Sequence, residues 1–465
     1  MYKKYFIVLL LIYNLVSFSQ CYTSGGSTTF RVTIVRKTDG TLWAIGNNQF
    51  GVLGNNVPAS TTYNSYTQIG TDNDWSDSFS VSDHVLAIKN NGTLWSWGQN
   101  TSKQCGLDND INIFTPTQVG IDTNWVAVST GGVYSLALKS NGTLWAWGNN
   151  INQTLGINDD TVFFQGTPIQ VGTATDWAKI YAGKTVSFGI KTNNTLWSWG
   201  NTQLTLRQQN FGYPLQATTD TDWEKISNNA AHITALKTNH SLWYWGQNYH
   251  GLAANGVAGN FVALNPIQIT TSTDWLDVET NGFNTIALKN NGTLWSWGTN
   301  GYGNFGNNNT TNSYVPIQVG TDTNWLKIFE QSEYVRSAIK QNNSLYSWGL
   351  QPANVFDNNT TNVKYVPTLI GSECLLNNAS FDENNKISLY PNPVINSFKV
   401  TFNETINANV IVKITTLLGK TILVKNSILK NNNELEVDVS ELNAGMYILT
   451  INYNDEIINT KIIKK

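Results

Sequence analysis

Charge is scarce in this chain. Of 465 residues only 13% are charged, about half the roughly 25% of an average globular protein. The net charge is −3. Residues 381–465 hold nine basic and nine acidic side chains; with these, Lys3 and Lys4 set aside, 17 basic and 22 acidic residues remain, a net −5. No basic run exists that could neutralise a line of phosphates, so nucleic acid is not an expected partner. Four histidines and three cysteines form no His-x-x-x-His or paired-cysteine metal spacing, and neither Gly-x-Ser-x-Gly nor a phosphate-binding glycine loop occurs. The sequence therefore calls for no cofactor, no metal and no catalytic residue. Long apolar runs are missing too, which predicts no transmembrane segment. The longest, Tyr5 to Val16, follows Lys3 and Lys4 and precedes Ser17-Phe18-Ser19-Gln20. It reads as a secretory signal peptide over residues 1–20 cleaved near Gln20. A lipid on Cys21 is the other reading, though Gln20 is a poor residue before a lipidated cysteine.

What the chain has is one phrase repeated seven times: a Lys, a turn, then Leu-Trp/Tyr-x-Trp-Gly or, in the first copy, Leu-Trp-Ala-Ile-Gly. The closing glycines are Gly46, Gly98, Gly148, Gly200, Gly246, Gly298 and Gly349, so the period is about 50 residues. Seven such units predict an all-β chain with a seven-bladed β-propeller over residues 21–374. The third copy shows the complete unit: Pro116 to Gly120, Trp125, Ala137-Leu138-Lys139, Asn141-Gly142 and Leu144 to Gly148. Period-two alternation marks strands, with room for four.

The second turn residue is Gly40, Gly92, Gly142, Asn194, His240, Gly292 or Asn343, types that accept positive φ, which predicts a two-residue hairpin of the primed type. Trp95 and Trp97 share one strand face and are expected to pack between blades. The same holds for all 18 tryptophans, a carbohydrate-stacking platform being the alternative. The first copy lacks a Pro-x-Gln-Val-Gly strand and the seventh ends on one, Pro367 to Gly371. The last strand is therefore expected to complete the first blade. In a continuous repeat Cys21 and Cys374 fall within about one residue of each other, which suggests a disulfide fastening the ring. Cys105 sits where other copies have Leu53, Leu155 and Phe305 and reads as a small buried hydrophobe.

The candidate sites are few. His84 and His232 share the position of Tyr134 and read as structural side chains. Asp/Asn clusters before the recurrent Trp, such as Asp72-Asn73-Asp74 and Asp220-Thr221-Asp222, could hold Ca²⁺ or be capped turns. Lys37, Lys89, Lys139, Lys191, Lys237, Lys289 and Lys340 recur in all seven copies, either as a positive circlet for an anionic glycan or as solvated strand-end lysines that deter edge pairing. Binding by propellers concentrates in their variable loops. Here those loops carry Phe114, Phe163, Phe164, Phe211, Tyr213, Tyr249, Phe261, Tyr302, Tyr314 and Tyr365, candidate anchors for a protein or glycan.

The unit Ala-Leu-Lys-x-Asn-Gly-Thr-Leu-Trp-x-Trp-Gly resembles the regulator of chromosome condensation family of seven-bladed propellers, over roughly residues 22–371. The nucleotide-exchange and chromatin roles of that family's founder are not implied for an exported, acidic chain; secreted members that inhibit an enzyme through one loop face are closer. After a linker at 375–386, residues 387–465 open on Tyr390-Pro391-Asn392-Pro393 and end with Gly445-Met446-Tyr447-Ile448-Leu449 and a basic terminus. This resembles the type A C-terminal sorting domain of the type IX secretion system of Bacteroidetes. The resemblance implies a partner in that secretion machinery, passage across the outer membrane, and release or attachment at the cell surface. Alternating runs at Ser397–Phe402, Val410–Thr415 and Leu435–Val439 fit a small Ig-like β-sandwich. The expected function is a secreted or cell-surface binding module for a protein or polysaccharide, not an enzyme. A glycan-active enzyme, or an inhibitor of a secreted enzyme, is the alternative.

The disulfide is directly testable. Peptide mapping of the exported protein without reductant should recover Cys21 and Cys374 in one linked species and Cys105 as a free thiol. Closing so long a loop stabilises the fold by up to ~5–6 kcal/mol in the chain-entropy treatment. Recovery of two free thiols at Cys21 and Cys374 contradicts the pairing.

Overall fold

A computed structural model describes residues 21–27, 32–201, 210–228, 232–257, 259–329, 335–350, 363–370, 387–390, 394–416, 421–443, 445–454 and 456–464. The chain divides into two compact units, Gln20–Cys374 and the C-terminal residues from Leu375 to Lys465. In the first, the alternating segments form seven four-stranded antiparallel sheets, each a simple meander of consecutive strands. The inner strands are Tyr22–Ser27, Trp75–Val81, Trp125–Thr130, Trp177–Ala182, Trp223–Asn228, Trp275–Thr280 and Trp325–Ile328. The outer ones are Thr62–Gln68, Ile113–Gln118, Phe164–Gln170, Asn210–Gln216, Val262–Gln268, Ser313–Gln318 and Val363–Leu369. Second strands end on the repeated Lys, and third strands carry the Leu-Trp-x-Trp-Gly phrase.

These boundaries correct the expected ring closure. A blade begins at the recurrent aromatic and ends with the Pro-x-Gln strand. The final strand, Val363–Leu369, pairs with Leu345–Leu350 of its own seventh blade. The first blade is complete with Thr62–Gln68, which lacks only the proline. Closure uses the same seam as every other junction instead. The backbone N–H of Trp75, Trp125, Trp177, Trp223, Trp275 and Trp325 donates to the carbonyl of Gly40, Gly92, Gly142, Asn194, His240 and Gly292 in the preceding blade, at 3.0–3.2 Å. Tyr22 N–H donates in the same way to Asn343 O at 3.2 Å. Tyr22, Val35, Phe329, Ile339, Leu345 and Ile370 form the apolar cluster across that last seam.

The turn also differs from expectation. Lys37 N–H donates to Thr41 O and Gly40 N–H to Lys37 O, both at 3.0 Å, so the loop holds three residues. Only its last residue has positive φ, 78° at Gly92 and 61° at His240. This is a type I turn followed by a left-handed residue, which suits strand twist as well as a primed turn does. At Gly92 the backbone also approaches the Thr123 carbonyl of the next linker closely enough that a side chain would force a shift, a shift that the blades with Asn194, His240 and Asn343 accommodate.

Twelve of the 18 tryptophans are buried core, and Trp43, Trp95, Trp145, Trp197, Trp243 and Trp295 are half-buried. Trp97, Trp147, Trp199, Trp245, Trp297 and Trp348 are fully buried. In blade 2 the inner Trp75 packs edge-on between Trp95 and Trp97, with centroids 5.9 and 6.0 Å away. Trp97 Nε1 donates to Val52 O in blade 1 at 2.9 Å, which ties the indole face to the neighbouring blade. Cys105 is a buried free thiol, and Cys21 is buried; Cys374, the signal segment and the linker lie outside the described residues.

Inside these seams runs a collar of polar pairs between neighbouring second strands. His84 Nε2 bonds to Ser135 Oγ at 2.8 Å, Ser187 Oγ donates to Tyr134 Oη at 2.8 Å, and Arg336 Nη2 donates to Asn284 Oδ1. His232 Nε2 reaches the inner-strand Thr280 Oγ1 at 2.8 Å. Both histidines therefore serve structure. Arg336, unremarkable in sequence, is buried where the corresponding strand positions carry Ser135, Ser187 and Thr285.

The second unit is also all β. Strand Ser397–Thr416 is long and bent. Its first part pairs with Ile387–Tyr390 and with residues 434–438, and its last part pairs with residues 421–429 and with Gly445–Tyr453. That division is consistent with an Ig-like sandwich. Phe398, Val400, Phe402, Val410, Val412, Ile414, Val437, Leu449 and Ile451 share one core, and Tyr447 Oη donates to Asn443 O at 2.9 Å. Pro391, Asn392 and Pro393 lie outside the described residues.

The collar makes stability depend on pH. Burial pushes His84 down to about 3 and His232 down to about 4. Unfolded histidine titrates near ~6.5, so between these values the unfolded chain binds more protons. The collar's contribution is complete above pH ~6.5 and falls with pH, His232 levelling near 4 and His84 near 3. The urea midpoint of the propeller should therefore drop steadily from pH 7 to 4. Changing both histidines to Asn, the residue at the equivalent position 284, should flatten that slope. An unchanged slope contradicts the assignment.

Candidate functional site

A four-strand meander separates two faces. The turns between second and third strands, and the links between blades, emerge on one; the inner hairpins and the long third-to-outer loops emerge on the other. Side-chain contact confirms the second grouping: His250 of a long loop packs on Phe283 of the next blade's inner hairpin, with ring centroids 6.1 Å apart.

The turn face is closed by the repeated lysines. Lys89 Nζ lies 5.0 and 4.6 Å from the ring centroids of Trp75 and Trp95 and within 2.8 Å of Asp72 and 3.0 Å of Asp74. The same cage recurs at Lys139 with Trp125, Trp145 and Asp122, at Lys237 with Trp223, Trp243, Asp220 and Asp222, and at Lys340 with Trp325, Tyr346 and Asp322. Lys191 and Lys289 sit likewise over their two indoles, against Asp176 and Asp274. In blade 1 Lys37 lies over Trp43 and Tyr22. These lysines are thus neither solvated strand ends nor an exposed circlet; the surrounding rings and carboxylates already hold their charge. The Asp clusters before each Trp hold an ammonium, which in Lys89 and Lys237 outweighs burial and raises the pKa. Among the described residues no group of three His, Cys, Asp or Glu is placed to hold a metal.

On the loop face a cavity of about 350 Å³ opens between the inner strands of blades 2 to 6. Its wall is polar and apolar in equal measure, Phe79, Val128 and Ile180 lying beside Ser82, Asn228 and Asn281. Lys225 and Glu279 in its wall are paired with each other. Lys225 Nζ bonds Asp277 and, at 2.6 Å, Glu279 Oε1, and Ser227 Oγ donates to Glu279 Oε2 at 3.0 Å. Burial pushes Glu279 up against the opposing pull of Lys225. Elsewhere on the inner strands Asp77 takes bonds from Thr23 and Ser24 at 2.8 Å and from Arg36 at 3.3 Å.

The ten loop aromatics divide. Phe163, Phe164, Tyr213, Tyr249, Tyr302, Tyr314 and Tyr365 are exposed. Phe114 and Phe211 are half-covered, and Phe261 packs against the core of blades 4 to 6. The rings of Tyr314 and Tyr365 lie where a side chain at Gly251 or Gly303 of the preceding blade would be, so both also stitch blades together. Phe211 and Tyr213 stand edge to face at 6.4 Å. Ile111, Ile151 and Phe283 are exposed on this face as well; an aromatic-only reading of the loops passes over the two isoleucines.

Comparison with known proteins agrees with this architecture. Residues 91–138 and 291–329 match a regulator of chromosome condensation (RCC1) repeat, as do residues 125–153 in a second model of that repeat. Residues 388–465 match a secretion system C-terminal sorting domain. No curated protein sequence matches the chain at a significant level. Human WBSCR16 superposes with a TM-score of 0.60 at 16% identity, covering 76% of this chain and 95% of that one. Prp20p of Saccharomyces cerevisiae, described with its binding to Gsp1p and histones, gives 0.60 at 17% identity, covering 80% and 90%. Yeast RCC1 (Prp20) bound to Kap60 gives 0.61 at 18%, covering 79% and 87%. At such identities the likeness speaks to fold. The chain is a seven-bladed all-β propeller in which residues 91–153 and 291–329 match regulator of chromosome condensation repeats, and its residues 388–465 match a secretion system C-terminal sorting domain.

Proposed function

We propose that this is an exported recognition propeller without catalytic activity. Type IX secretion through residues 387–465 carries it to the cell surface or the medium, where the loop face holds an extracellular protein or polysaccharide. One observation carries the reading: exposed aromatics ring the loop face, whereas the other face is occupied by its own lysine cages. Exposed rings on rigid β-scaffolds supply large contact area at little conformational cost.

A second reading has one feature in its favour. Asp277 and the cavity-lining Glu279 converge on Lys225, and the Glu279 carboxyl is raised by burial, as one member of an acid–base pair for glycan hydrolysis would be. Lys225 between them argues against it, because both carboxylates already have a cation.

Incubation of the purified full chain with an array of extracellular polysaccharides and secreted proteins, with product analysis for each, separates the two. Saturable binding without product is expected, weakened about tenfold or more when Phe163, Phe164 and Tyr213 are changed together to Ala. Glycan shortening that disappears in Asp277→Asn and Glu279→Gln contradicts the recognition reading and establishes the enzyme.

A further inference from the structure

The loop face is not uniform around the ring. Its most exposed apolar side chains lie in blades 2 and 3: Ile111 is 70% exposed, Ile151 61% and Phe163 60%. Phe164 and, in blade 4, Tyr213 extend the patch. The same two blades carry most of the acids of the long loops; loop 351–362 of blade 7 adds only Asp357, and loop 202–209 of blade 4 carries Arg207. Residues 99–112 hold Asp108, Asp110 and Lys103, and residues 149–163 hold Asp159 and Asp160, while the corresponding loops 48–61, 247–261 and 299–312 contain no Asp, Glu, Lys or Arg.

Acids and rings are interleaved by construction. Asp108 N–H donates to Gly166 O at 2.9 Å, and Asn158 N–H donates to Gly212 O at 2.7 Å, so each acidic loop lies on the outer strand of the next blade. A side chain at Gly166 would collide with the Asp108 carboxylate. By register the same position is Phe114, Tyr314 and Tyr365 in blades 2, 6 and 7. Gly212, also at this position, lies between Phe211 and Tyr213, with the Asp160 carboxylate beside it. Glycine at 166 and 212 therefore replaces the side chain that in blades 6 and 7 stitches the blades, and leaves room for a carboxylate on the outer strands that carry Phe164 and Tyr213.

Neighbouring donors hold the carboxylates in place. The Thr161 hydroxyl and N–H donate to Asp159 at 2.6 and 2.9 Å, which holds its pKa below the usual range. Gln153 Nε2 donates to Asp160 at 2.6 Å. Lys103 reaches Asp108 at 3.4 Å, one cation against four acids in the two loops.

Apolar anchors among carboxylates favour a ligand with apolar and cationic groups at the same spacing. Guanidinium suits this best, because it stacks on rings and forks onto carboxylates. A neutral glycan can donate hydroxyls to the acids but brings no opposite charge, and an anionic one is repelled. Building on the recognition reading above, we infer that blades 2 to 4 of the loop face dock a protein surface presenting arginine or lysine around an apolar anchor.

The test uses the full chain and three probes: a peptide of alternating Arg and Trp, its Glu–Trp counterpart, and dextran. The Arg–Trp peptide should bind saturably and more weakly as salt rises. Affinity should fall about fivefold or more in Asp110→Asn with Asp159→Asn, and about tenfold or more in Phe163→Ala with Phe164→Ala. Ile121→Ala, in the inter-blade link on the turn face, should leave it unchanged, near-ultraviolet circular dichroism confirming the fold of each variant. Equal binding of the Glu–Trp peptide, or no loss in the Asp variants, overturns the inference. Dextran binding that depends on Tyr249 and Tyr302, without Arg–Trp binding, overturns it too while leaving the recognition function standing.

Discussion

The architecture depends on a lysine ammonium held between two aromatic rings at the end of each second strand. The link entering a blade has no secondary structure of its own, yet it must place the inner-strand aromatic to within hydrogen-bond tolerance. The cage does this in blades 2 to 7: the two rings fix the ammonium, and it draws in the carboxylate one or three residues before the Trp. Each cation–π contact contributes about 0.5–2 kcal/mol, and the partly exposed ion pairs add less. Repeated around the ring, they set one geometry for the backbone bond that joins each blade to the last. Because Tyr22 and Asn343 repeat that bond, the ring closes without exchanging a strand between its ends.

That arrangement divides the labour between the faces. Scarce charge is concentrated where it orders the links, which leaves the turn face occupied by its own contacts. The loop face carries little structural duty beyond its stitches to neighbouring outer strands, so its side chains differ from blade to blade. The proposed recognition role rests on that variable face. Its asymmetry, acidic and apolar in blades 2 and 3 but uncharged in the long loops of blades 1, 5 and 6, gives the face a direction.

Fold was legible because repetition multiplies a weak signal. One Leu-Trp-x-Trp-Gly phrase suggests a strand, whereas seven at a period near 50 fix blade number and the inward-facing positions. The phase was not legible. A repeat has no intrinsic start, and Pro-x-Gln-Val-Gly opens a unit as naturally as it ends one until Val363–Leu369 is seen beside Leu345–Leu350. The turn was half legible: Gly and Asn announced positive φ at its last position but not the extra residue before it. The lysines were misread because sequence shows neither burial nor the Asp seventeen residues earlier that meets Lys89, Lys139 and Lys237. Seven of the ten loop aromatics stand exposed, while Ile111, Ile151 and the glycine-seated carboxylates carry no aromatic signal and needed the packing of one blade on the next.

Amine reactivity tests the lysine cage most directly. Brief acylation of the native chain with a limiting N-hydroxysuccinimide ester, read residue by residue by mass spectrometry, should modify exposed Lys184 and Lys413 readily. Lys89, Lys139, Lys191, Lys237, Lys289 and Lys340 should react about tenfold more slowly or less, and all should equalise in denaturant. Native-state labelling of those six at the rate of Lys184 would contradict the cage, and with it the account of how the ring is held.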